Sequence, residues 1–110
     1  MLNLLYINED NMNVYSLDII FNGKKLNKLV INNPHIKQKH PEITDEEIYN
    51  LSIQLNEKKI RFKSRKNNFN YFGHEPIFYK NKAYRLAWCL EDNKNYLGIT
   101  TCFRSRKYDK

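Results

Sequence analysis

Residues 12–32 read MNVYSLDIIFNGKKLNKLVIN, and this stretch decides the fold class. Over residues 12–21, Tyr15, Leu17, Ile19 and Phe21 share one face, the period-two pattern of a half-buried strand. Asn22-Gly23 follows, the preferred pair for a two-residue type I′ turn because both positions need positive φ. Residues 25–32 then return as the second arm of a β-hairpin. Upstream, residues 2–7 form either a short extra strand or an apolar leader.

Downstream the period changes. Asn33-Pro34 has the form of a helix start, with Asn as the N-cap and Pro at the first helical position. The short helix over 35–40 must stop at Pro41. Thr44 and Glu47 make a capping box. The helix they open runs to Asn56, with Ile48, Leu51 and Leu55 as its buried stripe and Asp45 and Glu46 at the positive end of its dipole.

From Lys59 the pattern turns to strand, Ile60, Phe62 and Ser64 alternating with Arg61, Lys63 and Arg65, so three cations project from one face. Residues 66–70 read as a polar turn. Short apolar pieces at 71–72 and 77–79 are separated by Gly73-His74-Glu75-Pro76, and Asn81-Lys82 makes a second turn. Residues 83–91 put Tyr84, Leu86, Trp88 and Leu90 on one face and Arg85, Ala87 and Cys89 on the other. Residues 96–104 put Leu97, Ile99, Thr101 and Phe103 inward, with Gly98, Thr100, Cys102 and Arg104 outward. Tyr79, Tyr84 and Trp88 fit either a core or a base-stacking role at this spacing.

This order predicts an α+β fold, an antiparallel β-sheet with an N-terminal hairpin and two short helices packed on one face. The 110 residues suit one domain. Its parts are a β-hairpin (1–33), a helical segment (34–57), an antiparallel sheet (58–106) and a tail (107–110). The sheet face away from the helices would carry Arg85, Thr100 and Arg104 with the 61–65 stripe. Such a face is either a phosphate site or an ordinary solvated surface.

The formal net charge is +7, and residues 61–110 hold all of it; residues 1–33 are neutral and 34–60 carry −1. One basic surface follows rather than a diffuse charge. Eight Tyr, six Phe and one Trp beside that charge suit an anionic partner with flat bases. The content of 41% hydrophobic residues with only three Gly and three Pro excludes disorder and low-complexity repeats. No run approaches the roughly 20 apolar residues of a membrane span. Residues 1–6 are too short and uncharged for a signal peptide, so a cytoplasmic protein without a membrane partner is expected. Cys89 and Cys102 lie on neighbouring predicted strands, where a cross-strand contact is geometrically open; without an export signal they read as reduced, buried small hydrophobes.

The carboxylates are scattered, and no glycine-rich phosphate loop, nucleophile elbow or HExxH is present, so neither metal nor cofactor is expected. RNA supplies its own nucleophile, the 2′-OH, and can be cut by a base, cations for the anionic phosphorane and an acid for the 5′ oxygen. His35 and His40 are the acid/base candidates because histidine titrates near neutrality. On one helix they would point about 140° apart, which keeps both from a single phosphate. His74, beside Gly73 in a loop, reads as exposed.

The order His35-x4-His40-Pro41-Glu42-Ile43, a helix, Ile60-Arg61, Phe78-Tyr79, Tyr84-x-Leu86-x-Trp88 and Ile99-Thr100-Thr101-x-Phe103-Arg104 resembles the barnase/EndoU/colicin/RelE-like ribonuclease superfamily. Many of its members are toxins. The resemblance covers residues 33–106. It implies His35 or His40 as general acid or base, Thr100 or Thr101 near the scissile phosphate, and phosphate charge from Arg61, Arg85 and Arg104. No Glu matches the catalytic one of barnase-type members, since Glu42 follows Pro41 in a turn.

The expectation is a metal-independent endoribonuclease acting as a toxin. Catalysis falls to His35, His40, Thr100 and Arg104, and RNA binding to Arg61, Lys63, Arg65, Arg85 and Thr101. A cognate acidic antitoxin or immunity protein would cover the basic face. The alternatives are a non-catalytic nucleic-acid-binding module and a protein-binding immunity or regulatory protein; the latter fits less well because nuclease inhibitors tend to be acidic.

Overall fold

A computed structural model describes residues 2–109; Met1 of the expected hairpin segment and Lys110 of the tail lie outside it. Leu4–Ile7 forms strand β1, which pairs antiparallel with β2 (Asn13–Phe21). β2 and β3 (Lys24–Ile31) pair about Asn22 and Gly23, whose φ values of 51° and 76° are those a type I′ turn needs.

Helix α1 (Asn33–Lys39) begins one residue earlier than the sequence suggests. Its N-cap is Asn32, whose side chain accepts the His35 N–H at 3.3 Å. Asn33 is not free to cap, because its side chain accepts the Asn13 N–H and donates to Asp45. Asp45 also accepts from Tyr15 and Asn13. The residue expected to serve only the helix dipole therefore ties both helix starts to β2, and burial followed by this bonding pushes the Tyr15 hydroxyl up to about 12. Helix α2 (Asp45–Ser52) opens on the Thr44–Glu47 capping box and tightens into a 3-10 turn, Ile53–Leu55. Ile48, Leu51 and Leu55 are all buried.

The remaining strands are β4 (Ser64–Lys66), β5 (Phe69–Tyr79), β6 (Lys82–Glu91) and β7 (Tyr96–Arg104), followed by a 3-10 turn at Arg106–Tyr108. They complete a seven-stranded open sheet of order β1-β2-β3-β7-β6-β5-β4. The sheet is not antiparallel throughout, since β3 and β7 run parallel. After β3 the chain passes through both helices to β4 at the far edge of the sheet and returns by antiparallel steps through β5 and β6, so that β7 arrives beside β3 in the same direction, which a hairpin cannot do.

Three local expectations change. Gly73-His74-Glu75-Pro76 does not interrupt β5; the strand runs through it with a bulge between His74 and Ile77, where a missing proline N–H costs no ladder bond. Arg61, Lys63 and Arg65 do not form one strand face. The strand covers only Ser64–Lys66, extended by a Lys63 N–H bond to the Tyr71 carbonyl, because Ile60 gives both backbone groups to the Asn22 side chain and residue 58 bridges Phe21. In β7 a bulge separates Trp88↔Ile99 from Ala87↔Thr101 and leaves Thr100 as the extra residue. Beyond it the alternation inverts. Cys102 and Arg104 share the helix-side face with Leu86 and Tyr84, while Thr101 and Phe103 face away.

The core lies between sheet and helices. Trp88 stacks on Phe72 with ring centroids 5.6 Å apart, and Phe21 meets both edge-on at 5.3 and 5.7 Å. Tyr84 and Trp88 are fully buried, so they hold the fold and are not available to stack on bases. Both cysteines are free of a disulfide and buried, on opposite faces: Cys89 opposes Gly98, and Cys102 opposes Leu86. No cross-strand contact joins them. Burial pushes their thiols up, to about 11 and about 12.

Candidate functional site

Strand register places the side chains of the open face in rows. One row crosses the sheet as Gly73, Ala87 and Thr101. A second runs Tyr71, Cys89, Gly98, Val30, Val14 and Tyr6. A third pairs Arg85 with Phe103. Small residues therefore floor the middle of the face, and aromatic and cationic side chains rise around them. A Cβ on Gly73 would meet the Arg85 Nη2 at 3.1 Å and the Lys63 Nζ at 3.6 Å, so both cations lie over that glycine.

Glu75 completes this corner. It accepts a hydrogen bond from the buried Ser105 hydroxyl and lies 3.6 Å from the Arg85 guanidinium. The Ser105 bond, with Lys107 and Arg85 nearby, holds its carboxyl below the ordinary range. Arg85 is half-buried and Lys63 exposed, so the corner keeps a positive excess open to solvent.

His40 meets the neighbouring strand, β7, from the sheet edge. The Asn32 N–H donates to the Ile99 carbonyl at 3.1 Å, the last bond of the β3–β7 pairing, and α1 then flanks the free edge of β7. At its far end His40 lies on Phe103, ring centroids 5.1 Å apart and tilted by 35°. It is the C-cap, with φ −140°, so helical spacing does not set its direction. His35 sits exposed in the first turn of α1, at the opposite end.

The structure thus sets Arg85 and Lys63 over Gly73, and His40 on Phe103, the register partner of Arg85; Thr101 shares that face two residues before Phe103, with Thr100 in the bulge. It does not bring Arg104, Arg65 or Arg61 there. Arg104 lies on the helix side over the Tyr84 ring and pairs with Asp109. Arg65 pairs with Asp92 and Asn70. Arg61 is exposed on the segment held by Asn22. His74 is exposed.

Several residues of this face carry no motif: Gly73, Ala87, Cys89, Gly98, Phe69, Tyr71 and Tyr96. The signal for them is faint but present, since F-x-Y-x-G from Phe69 and R-x-A-x-C from Arg85 put small and aromatic residues on the outward positions of adjacent strands. Among the described residues no group of three His, Cys, Asp or Glu could hold a metal ion, and no helix is long and apolar enough to cross a membrane. Comparison with protein-family models, curated proteins and solved structures yields no match.

Proposed function

We propose that this chain is a metal-independent endoribonuclease that cuts RNA through its own 2′-OH. The observation that carries the reading is the contact of His40 with Phe103, the register partner of Arg85, on the open face where Arg85 and Lys63 lie over Gly73. In this reading a phosphodiester lies over the small floor of Gly73 and Ala87. The 2′-oxygen forms a bond to phosphorus, the bond from phosphorus to the 5′ oxygen breaks, and a 2′,3′-cyclic phosphate results. His40 takes the 2′-OH proton or gives one to the departing 5′ oxygen. Arg85 and Lys63 balance the charge that develops on the phosphorane, and the Thr101 hydroxyl offers it a hydrogen bond. DNA lacks the nucleophile and resists.

As a toxin, the protein would need its basic open face covered in the producing cell. A cognate acidic antitoxin or immunity protein is the fitting partner. Incubation with RNA in the presence of a chelator tests the activity. Fragments with 2′,3′-cyclic phosphate ends are expected, and intact RNA at stoichiometric protein overturns the reading.

One observation favours a second reading, a nucleic-acid-binding module without cleavage. Of the two candidate histidines His40 alone meets β7, through Phe103; His35 lies at the other end of α1. That reading expects salt-dependent binding with a log–log slope of several units and uncut RNA.

A further inference from the structure

We propose that the open face carries a stacking subsite for one unpaired nucleobase, with the Tyr96 ring as its platform. The proposal rests on the RNA reading above and names which part of the RNA this end of the face takes. The place is a concavity of about 460 Å³ running between the β1–β2 loop and β5, with Tyr6, Lys28, Phe69, Tyr96, Gly98 and Thr100 among its walls and floor. That volume lies within the range of small-ligand sites.

Tyr96 is held in an unusual way for a surface aromatic. It shares the open face with Gly98, two residues on. A Cβ on Gly98 would stand 3.2 Å from Tyr96 Cε1 and 2.9 Å from Cys89 Sγ, so the ring occupies space that any larger residue would contest. At its far end the Tyr96 hydroxyl donates to Glu91 at 2.6 Å. Glycine at one end and the carboxylate at the other immobilise the ring. A ring fixed before binding loses no rotamer freedom when a base stacks on it.

The surroundings suit a nucleotide. Phe69 opposes Glu91 in register and so stands beside the Tyr96 anchor, with Tyr71 6.2 Å away between ring centroids. Lys28 is the register partner of Tyr96 and holds its ammonium 5.8 Å from the Tyr6 ring. It brings a cation to the level of the platform for the phosphate attached to the base. From the Thr100 end of the concavity β7 leads on to Thr101 and to Phe103, on which His40 lies. Tyr96 and Thr101 are about 15 Å apart along β7, so the stacked base belongs to a neighbour of the scissile nucleotide along the strand.

The test is equilibrium binding of single-stranded 2′-O-methyl RNA, which cannot be cut by 2′-OH attack, against the same oligonucleotide with one abasic position walked along it. For the wild type, one abasic position should weaken binding roughly tenfold or more. Tyr96→Ala should weaken the intact oligonucleotide by a similar factor and become indifferent to that position, while Tyr96→Phe retains most of the affinity. Titration of the wild-type chain with adenosine 5′-monophosphate should shift the Gly98 and Thr100 amide resonances, a readout that needs no variant. Tight binding by the wild type that ignores every abasic position, or an unmoved Gly98 amide, overturns the subsite alone. A wild type that binds no RNA overturns the RNA reading and the subsite with it.

Discussion

The Tyr84 hydroxyl of β6 donates a hydrogen bond to one oxygen of Glu47, while the other oxygen accepts the Thr44 N–H and hydroxyl at 3.0 Å. One carboxylate thus closes the cap of α2 and ties that helix to the middle of the sheet. Burial acts to raise its pKa, yet the bonds from Tyr84 and Thr44 prevail and hold it below the ordinary value. A depressed carboxyl contributes stability above its unfolded pKa near 4.5 and loses it as pH falls through the lower folded value.

Tyr84→Phe should therefore lower stability by about 2 kcal/mol at neutral pH, the scale of a hydrogen bond to a charged group. The loss should shrink as the pH falls below the range where Glu47 titrates. Urea unfolding across pH 3 to 7 measures both, and a Tyr84→Phe/Glu47→Gln double-mutant cycle should show the two residues coupled.

Arg85 and Arg104 occupy adjacent strands but opposite faces, so their substitutions should separate. Arg85→Ala should weaken RNA binding and reduce the magnitude of its salt slope by about one unit, with little change in stability. Arg104→Ala should leave the slope intact and cost roughly 1–2 kcal/mol, since it removes the Asp109 pair and the contact over Tyr84. Salt titrations of binding and chemical unfolding give the two readouts.

His40→Ala should reduce RNA cleavage by about 10²–10⁴, the range of general acid–base catalysis. His35→Ala should leave the rate within a few fold, because that side chain lies at the other end of α1. Comparing single-turnover rates at matched folding decides the assignment. Equal rates for the two variants would remove His40 from the mechanism.

Asn22→Gly keeps a residue that tolerates positive φ but deletes the side chain that holds both backbone groups of Ile60. The β2–β3 turn should persist while residues 58–62 loosen. A stability loss of about 1 kcal/mol and faster hydrogen exchange at the Ile60 amide are expected.

The local signals of this chain act over a few residues and are legible in its sequence. Asn22-Gly23 needs only its own φ angles to turn the hairpin. Thr44 and Glu47 form their cap within one helical turn, and Ile48, Leu51 and Leu55 form a stripe whichever surface they meet. The candidate site is less legible. Alternation along residues 96–104 assigns Arg104 to the open face and Phe103 to the core, and the structure reverses both.

The reason is that a bulge is a property of two strands together. Nothing within Tyr96–Arg104 announces that Thr100 will be left unpaired; its place depends on how β7 registers against β6 while also lying parallel to β3. The same holds for residues 58–60, at the start of a strand-like alternation, which find their partners in Asn22 and Phe21. His40 belongs to this class too, since its contact with Phe103 arises only because α1 takes up the edge of β7 where β3 ends. Composition and short-range pattern determined the hairpin, the caps, the helical stripe and a basic second half. Strand pairing across distant segments decided which cations, hydroxyls and rings share the open face, because a one-residue offset in register moves every following side chain to the other side of the sheet.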